Sequence, residues 1–292
     1  MNTEYIQAKS ILSPIKNGPD PYFGIKYSMN LYRGCQHGCI YCDTRSKVYN
    51  VGELSTIRLK QNGIDLLARD IKRLKTKGTI GTGSMNDPYM PIEQKEQLIL
   101  KALEIIQQSK FPVHIMTKSN LVLRDIDIIK EIGKTYAAVS FTITTANDTI
   151  AKIIEPGAPV SSERLHALRT LSQMGIYTGI VLSPVLPFIT DSEENIERIV
   201  QMASKAGAKY ILAWMGFTQR EGQIEYFYSK LQKNFPGLEK KYHTLYNNRY
   251  SCEVPDSKTL YKAFNNMCKD YNIATRMEHY NPTPPRQLNL FS

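Results

Sequence analysis

Three of this chain's five cysteines fall within eight positions, in the run Gly34-Cys35-Gln36-His37-Gly38-Cys39-Ile40-Tyr41-Cys42. This C-x3-C-x2-C spacing constrains the chain more than any other feature. Thiolates so spaced converge on one centre from a loop, which can fold its backbone around the centre. Gly34 and Gly38 give that loop its conformational latitude. Cys252 and Cys268 lie far along the chain, so the pattern points away from a disulfide framework and toward a metal or cluster in a reducing compartment. Three thiolates on a four-iron cluster leave one iron without a protein ligand. Reactive metal centres keep such an open position, whereas structural centres close it. Three alternatives stand beside this reading. One is an electron-transfer cluster completed by Cys252 or Cys268, since such clusters normally take four cysteines. Another is a structural zinc with His37 as fourth ligand, a cramped arrangement because His37 lies between two of the cysteines. The third is fortuitous clustering in a chain of five cysteines.

The rest of the sequence alternates strand-like and helix-like segments. Tyr27–Leu31, Thr79–Ser84, Pro112–Thr117, Tyr136–Ile143, Tyr177–Ser183 and Lys209–Trp214 read as strands. Between them, apolar residues recur at helical spacing, as in Ile64, Leu67, Ile71 and Leu74, or Ile196, Ile199, Val200 and Ala203. Asp191 and Glu194 have capping-box spacing ahead of the last of these helices. Six βα units in succession predict a parallel sheet in an α/β fold, closed or nearly closed as a barrel, with an open doubly wound sheet as the competing arrangement. The expected division is an irregular leader (1–24), a core barrel (25–220), a helical C-terminal extension without strands (221–279) and a flexible tail (280–292).

In context, the cysteine loop resembles a known family. The stretches NLYRGCQHGCIYCDTRS, SMNDPYMPIE, TKSNLVLRDIDII, SFTITTAND, IIEPGAPVSSERL and SPVLPFITD are similar to the radical S-adenosylmethionine (radical SAM) superfamily, and within it to the spore photoproduct lyase-like, DNA-repair-photolyase-like branch. The resemblance implies a partial TIM-like (β/α)6 barrel with a C-terminal helical extension. It also implies a [4Fe-4S] cluster on Cys35, Cys39 and Cys42, with S-adenosylmethionine chelated to the unligated iron. An electron from an external donor would cleave the sulfonium to methionine and a 5′-deoxyadenosyl radical, which takes hydrogen from the substrate. Two departures set this chain apart from the type member of that branch. Asp43 stands where a tyrosine follows the third cysteine. Ser84 or Met85 stands where a cysteine hydrogen donor is found, and neither readily donates hydrogen to a product radical. The same reaction therefore does not carry over, and lyase-type or transferase-type chemistry stays open.

Active sites of parallel α/β barrels lie at the C-terminal ends of the strands. There the sequence offers Ser84, Asn86, Asp87, Lys118, Ser140, Glu155 and Arg164 as cofactor-binding candidates, with Tyr41 near the adenine. Hydroxyls and amides suit a ribose and an amino group, while Lys118 or Arg164 suits a carboxylate. Each of these also has an ordinary structural reading, as a helix cap or a solvated ion pair.

Lys and Arg number 37 against 27 Asp and Glu, a net charge of +10. That balance favours polyanionic partners, and with the resemblance it points to nucleic acid, as in DNA repair. RNA, a small molecule, or a non-catalytic Fe–S electron-transfer role are the alternatives. Near the end, Gln287, Leu288, Leu290 and Phe291 follow a Pro-rich spacer. They resemble the short peptide by which bacterial repair proteins dock on the DNA sliding clamp. The start, MNTEYIQAKS, lacks the apolar core of a signal peptide, and no apolar run suffices to span a bilayer. The expectation is a cytoplasmic protein with no membrane partner.

Overall fold

The computed structural model describes residues 3–247 and 249–282. Six strands form its centre: β1 (Ile25–Met29), β2 (Thr79–Thr82), β3 (Val113–Thr117), β4 (Ala137–Thr142), β5 (Tyr177–Leu182) and β6 (Tyr210–Ala213). They pair in chain order and every neighbouring pair is parallel. Such strands are covered on both faces, which is why β2 and β4 are buried along their whole length and carry no charged residue. Among the described residues β6 does not pair with β1, so the barrel is partial, as the resemblance implied.

The crossover helices are α1 (Gly63–Arg73), α2 (Leu98–Gln108), α3 (Ile126–Gly133), α4 (Ser161–Gln173) and α5 (Glu193–Ala206). Each turns an apolar stripe onto the sheet, such as Ile99, Ala102, Leu103 and Ile106 of α2. The N-cap of α5 is Ser192, whose hydroxyl accepts from the Asn195 backbone N–H. The cap is thus one residue after the expected Asp191, because Ser192 is the residue held extended at the helix entrance.

The leader is not irregular. Thr3–Ile6 pairs in parallel with Ile57–Lys60, which pairs antiparallel with Tyr32–Arg33. Leu12–Pro14 adds an antiparallel strand beside β1. These are short edge strands, largely exposed, so they lack the apolar pattern that marks buried ones. The Asp70 carboxylate at the inner side of α1 accepts from the backbone N–H groups of Ile11 (2.8 Å) and Leu12 (3.3 Å), clamping the leader to the barrel. Burial opposes the charge on Asp70, but these donors and Arg69 outweigh it and hold the carboxyl below its ordinary value. A depressed carboxyl adds stability above its unfolded value and loses it as pH falls through the folded one. Asp70→Asn is therefore expected to cost about 1–3 kcal/mol at neutral pH. Urea melts should show the gap to wild type closing below about pH 4.

The C-terminal extension contains a strand that was not expected: Ser251–Glu253 pairs antiparallel with Gly216–Thr218. At three residues with exposed ends, it is too short to give a sequence period. Helix α6 (Ser257–Asp270) sets Leu260, Phe264 and Cys268 into the main core. Residues 273–280 then cross from the β6 edge toward the start of β1. Ala274 bridges Tyr210, the Glu278 carbonyl accepts from the Tyr136 hydroxyl (2.6 Å), and the His279 ring lies 3.1 Å from the Tyr22 carbonyl. Helices Gln223–Asn234 and Leu238–Tyr246 lie on the cysteine-loop side. There Phe227, Leu231 and Tyr242 join Phe217, Cys39, Ile40 and Tyr41 in a second core. Among the described residues no helix is long and apolar enough to cross a membrane. The Gln287–Phe291 motif lies outside the described residues.

Candidate active site

The cysteine loop leaves the Tyr32–Arg33 strand through Gly34, at φ +90°, where a side chain would run into the carbonyl oxygens of Leu54 and Thr56. Backbone bonds then tie the loop to distant segments. Cys35 N–H donates to Leu54 (2.8 Å), Ile40 N–H donates to Ile154 (2.9 Å), and the His37 carbonyl accepts from Gly157 (2.8 Å). The Gln36 amide oxygen accepts from Ile92 N–H at 2.7 Å. The loop is fixed by tertiary structure rather than by helix or sheet, as its spacing requires.

Cys35, Cys39 and Cys42 all line one cavity of about 360 Å³, together with Tyr41, Ser84, Asn86, Asp87 and Lys118. The cavity sits over the C-terminal ends of β2–β5, whose Gly83, Thr117, Thr142 and Ser183 complete the wall. Burial pushes the Cys35 thiol up to about 12, with the Asp87 carboxylate adding to the effect, and raises Cys39 further still. Both thiols are therefore protonated at neutral pH before a metal binds, and metal binding releases those protons.

These residues fit a cluster better than a single ion. Among the described residues no three His, Cys, Asp or Glu side chains close tightly enough to hold one metal ion. Three thiols that share a wall without meeting at a point suit a centre whose irons are spread apart. His37 is not turned to a zinc shared with the cysteines: its Nε2 lies 3.3 Å from the Asp87 carboxylate. Cys252 and Cys268 are buried in the second and main cores, and neither lines the cavity that holds the three loop thiols. Three thiols would hold such a cluster and would leave it one position for another ligand.

The candidate residues divide by what the fold has already done with them. Asp87 is a hub: it accepts from Thr117 Oγ1 (2.7 Å), Lys118 N–H (2.6 Å) and Tyr89 N–H (2.9 Å), besides touching His37. Burial would raise its carboxyl, but His37 and the donated bonds win and lower it to about 2. Asn86 donates to the Tyr32 carbonyl at 2.7 Å. Glu155 and Arg164 do not line the cavity. They form a fully buried ion pair at 2.6 Å, with Arg164 also donating to the Pro159 (2.7 Å) and Thr142 (2.9 Å) carbonyls and the Tyr41 hydroxyl donating to Glu155. Ser140 lies within the barrel below the cavity, its hydroxyl between His114 Nε2 and the Tyr210 hydroxyl, each at 2.7 Å. Its side chain points inward, but two residues short of Thr142, which reaches the wall.

Ser84 and Lys118 remain uncommitted. Ser84 is exposed on the cavity wall. The Lys118 ammonium has no hydrogen-bond acceptor or ion-pair partner among the described residues and lies 5.8 Å from the Tyr41 ring. Burial works against its charge, yet the Cys39 and Glu155 side of the site offsets this and holds it above its ordinary value. Met116, Trp214, Phe217 and Thr218 also line the cavity, with no signal of it in the sequence. Nor does the sequence show the role of Asp43, which accepts from Thr218 (3.0 Å) and Tyr49 (2.9 Å) and pairs with Arg220 (3.0 Å), tying the loop to the segment after β6.

A partial parallel barrel with three loop thiols at the strand ends defines a class of cluster-dependent enzymes. The match is specific: residues 29–203 fit the radical SAM superfamily model, and the chain belongs to that superfamily. Its members use a [4Fe-4S] cluster and S-adenosylmethionine. An uncharacterized protein of Methanocaldococcus jannaschii is 37% identical over 191 residues, covering 64% of this chain and 69% of that protein. The radical SAM Nalpha-GlyT isomerase of Pseudomonas phage M6 is 23% identical over 204 residues, covering 69% of this chain and 41% of that protein. Spore photoproduct lyase complexed with dinucleoside spore photoproduct shares the fold with a TM-score of 0.70 at 18% identity, over 92% of this chain and 79% of that one.

Proposed function

We propose that this radical SAM enzyme acts on nucleic acid, and that Lys118 receives the carboxylate of S-adenosylmethionine beside the cluster held by Cys35, Cys39 and Cys42. One observation carries the cofactor reading: in a cavity walled by the three thiols, Lys118 is a cation whose ammonium has no acceptor among the described residues. Arg164, the other candidate for the carboxylate, is spent on Glu155 and backbone carbonyls. When bound, the cluster supplies the electron that cleaves the sulfonium, and an external donor must reduce it. The protein's own share is positional. Tyr41 places a ring beside Lys118, Thr142 and Ser84 offer hydroxyls, and Trp214 and Phe217 give the wall apolar surface that excludes water. Nucleic acid as substrate is supported by the net charge of +10 and by the fold shared with an enzyme solved with a dinucleoside lesion.

The test is anaerobic reconstitution with iron and sulfide, reduction, and chromatography for 5′-deoxyadenosine. Wild type is expected to form it. Lys118→Met is expected to keep its cluster absorption while S-adenosylmethionine binds about 30-fold or more weakly, the loss typical of leaving a buried charge unpaired. Unchanged affinity in that variant removes Lys118 from the site.

A further inference from the structure

A second concavity, about 390 Å³, opens beside the catalytic cavity and shares Met85 and Asn86 with it as a common wall. Two cations line it, Arg33 and Lys60, and among the described residues no acidic side chain does. Carboxylates beside the lining residues are engaged elsewhere: Glu4 with Arg58, Asp43 with Arg220 and Tyr49, and Glu93 with Arg124 and the Tyr32 hydroxyl. Lys60 spends one of its three donors on the Asn30 carbonyl at 2.7 Å. Arg33 spends one on the Asn50 carbonyl and keeps others of its five. Burial, then the charge of Arg33, weakens the Lys60 ammonium's hold on its proton. Two like charges in one half-buried groove repel each other, and the fold keeps them together with no protein anion between them. Tyr49 forms the outer wall. Its ring is also 5.5 Å from the Arg220 guanidinium, which lies 4.8 Å from the ring of Tyr250, a residue 53% exposed. Aromatic faces alternating with cations beside a basic groove suit a single strand, whose phosphates lie in the groove and whose bases stack on the rings.

We propose that Arg33 and Lys60 bind a backbone phosphate of a nucleic-acid strand, so that the adjoining nucleotide enters the catalytic cavity across Met85 and Asn86. This rests on the proposed function and adds to it the place where the strand lies. A base held in a duplex is out of reach of the atoms lining a cavity, so a displaced nucleotide is the form the two concavities can share.

The test is fluorescence anisotropy of a short fluorescein-labelled single-stranded oligodeoxynucleotide on the reconstituted protein at several salt concentrations. Arg33→Gln with Lys60→Gln is expected to raise Kd about tenfold or more and to lower the salt slope by about 0.7, the share of the one phosphate that the pair no longer neutralises. Arg33→Lys with Lys60→Arg, which keeps both charges, is expected to bind within about threefold of wild type. Lys101→Gln with Lys130→Gln, on the outer helices α2 and α3, removes the same net charge and is expected to change little. Equal weakening by that outer pair, or by the charge-keeping pair, overturns the groove. Thymidine 5′-monophosphate that competes as well as the strand overturns the backbone phosphate in favour of a free nucleotide. Failure of wild type to make 5′-deoxyadenosine is a separate result, and it strikes the function on which the inference rests.

Discussion

Cys39→Ala protein, reconstituted anaerobically, is expected to show neither the broad visible absorption of a four-iron cluster nor 5′-deoxyadenosine above background. The size of the effect follows from the ligand count. Apparent binding free energies of structural metal sites with four ligands run to about 10–16 kcal/mol, so each thiolate contributes about 3 kcal/mol. Losing one of three weakens the cluster by about 100-fold or more, and a cluster held by two thiolates is lost to the chelating buffer. Cys39 is the informative choice because it is the most buried of the three and belongs to the second core with Tyr41, Phe217 and Phe227. Alanine there removes a sulfur without exposing apolar surface, so circular dichroism should stay native. Cys252→Ala is the control. It is also buried, but outside the cavity, and it should keep its iron. A Cys39→Ala protein with full iron and sulfide content would refute the three-thiol assignment.

How much of this was legible beforehand depends on whether a residue's role is local. The six barrel strands were, because strands covered on both faces have to be apolar and the helices between them have to carry a stripe. The meeting of the three loop thiols at one cavity was, because C-x3-C-x2-C sets them within eight residues. Thr3–Ile6 and Ser251–Glu253 were not, since short edge strands with exposed residues carry no period. Ser140 shows a finer limit. The two-residue period of a strand correctly turns it into the barrel with Thr142, but nothing in the sequence gives its depth, and it lies one layer below the cavity. Glu155 and Arg164 show another. Their types suit a cofactor's amine and carboxylate, and equally suit each other. Only the tertiary distance between residues on two different helices' flanks tells which pairing the fold has made. Phe217 and Thr218 were not legible, since they line the cavity from a three-residue strand that pairs with Ser251–Glu253 and is too short to carry a period.

That Glu155–Arg164 pair carries the second large expectation. Glu155→Gln should destabilise the protein by about 3–5 kcal/mol, the usual cost of leaving one member of a buried ion pair without its partner. Both side chains are at most 1% exposed, so water cannot take the place of the missing charge. Arg164 keeps its bonds to the Pro159 and Thr142 carbonyls, and these neutral acceptors do not offset a guanidinium charge. The damage should reach the cluster as well. The Tyr41 hydroxyl donates to Glu155, and Tyr41 stands between Cys39 and Cys42, so the carboxylate anchors the ligand loop through that ring. Tyr41→Phe separates the two effects: it removes the anchor but keeps the ion pair, and its loss should be about 1–2 kcal/mol. Denaturant melts of the apo-proteins measure the first effect, and the rate of iron release to a chelator measures the second. If Glu155→Gln melts with wild type, the pair is dispensable to the fold, and its charges are then free for the cofactor role that the sequence first suggested.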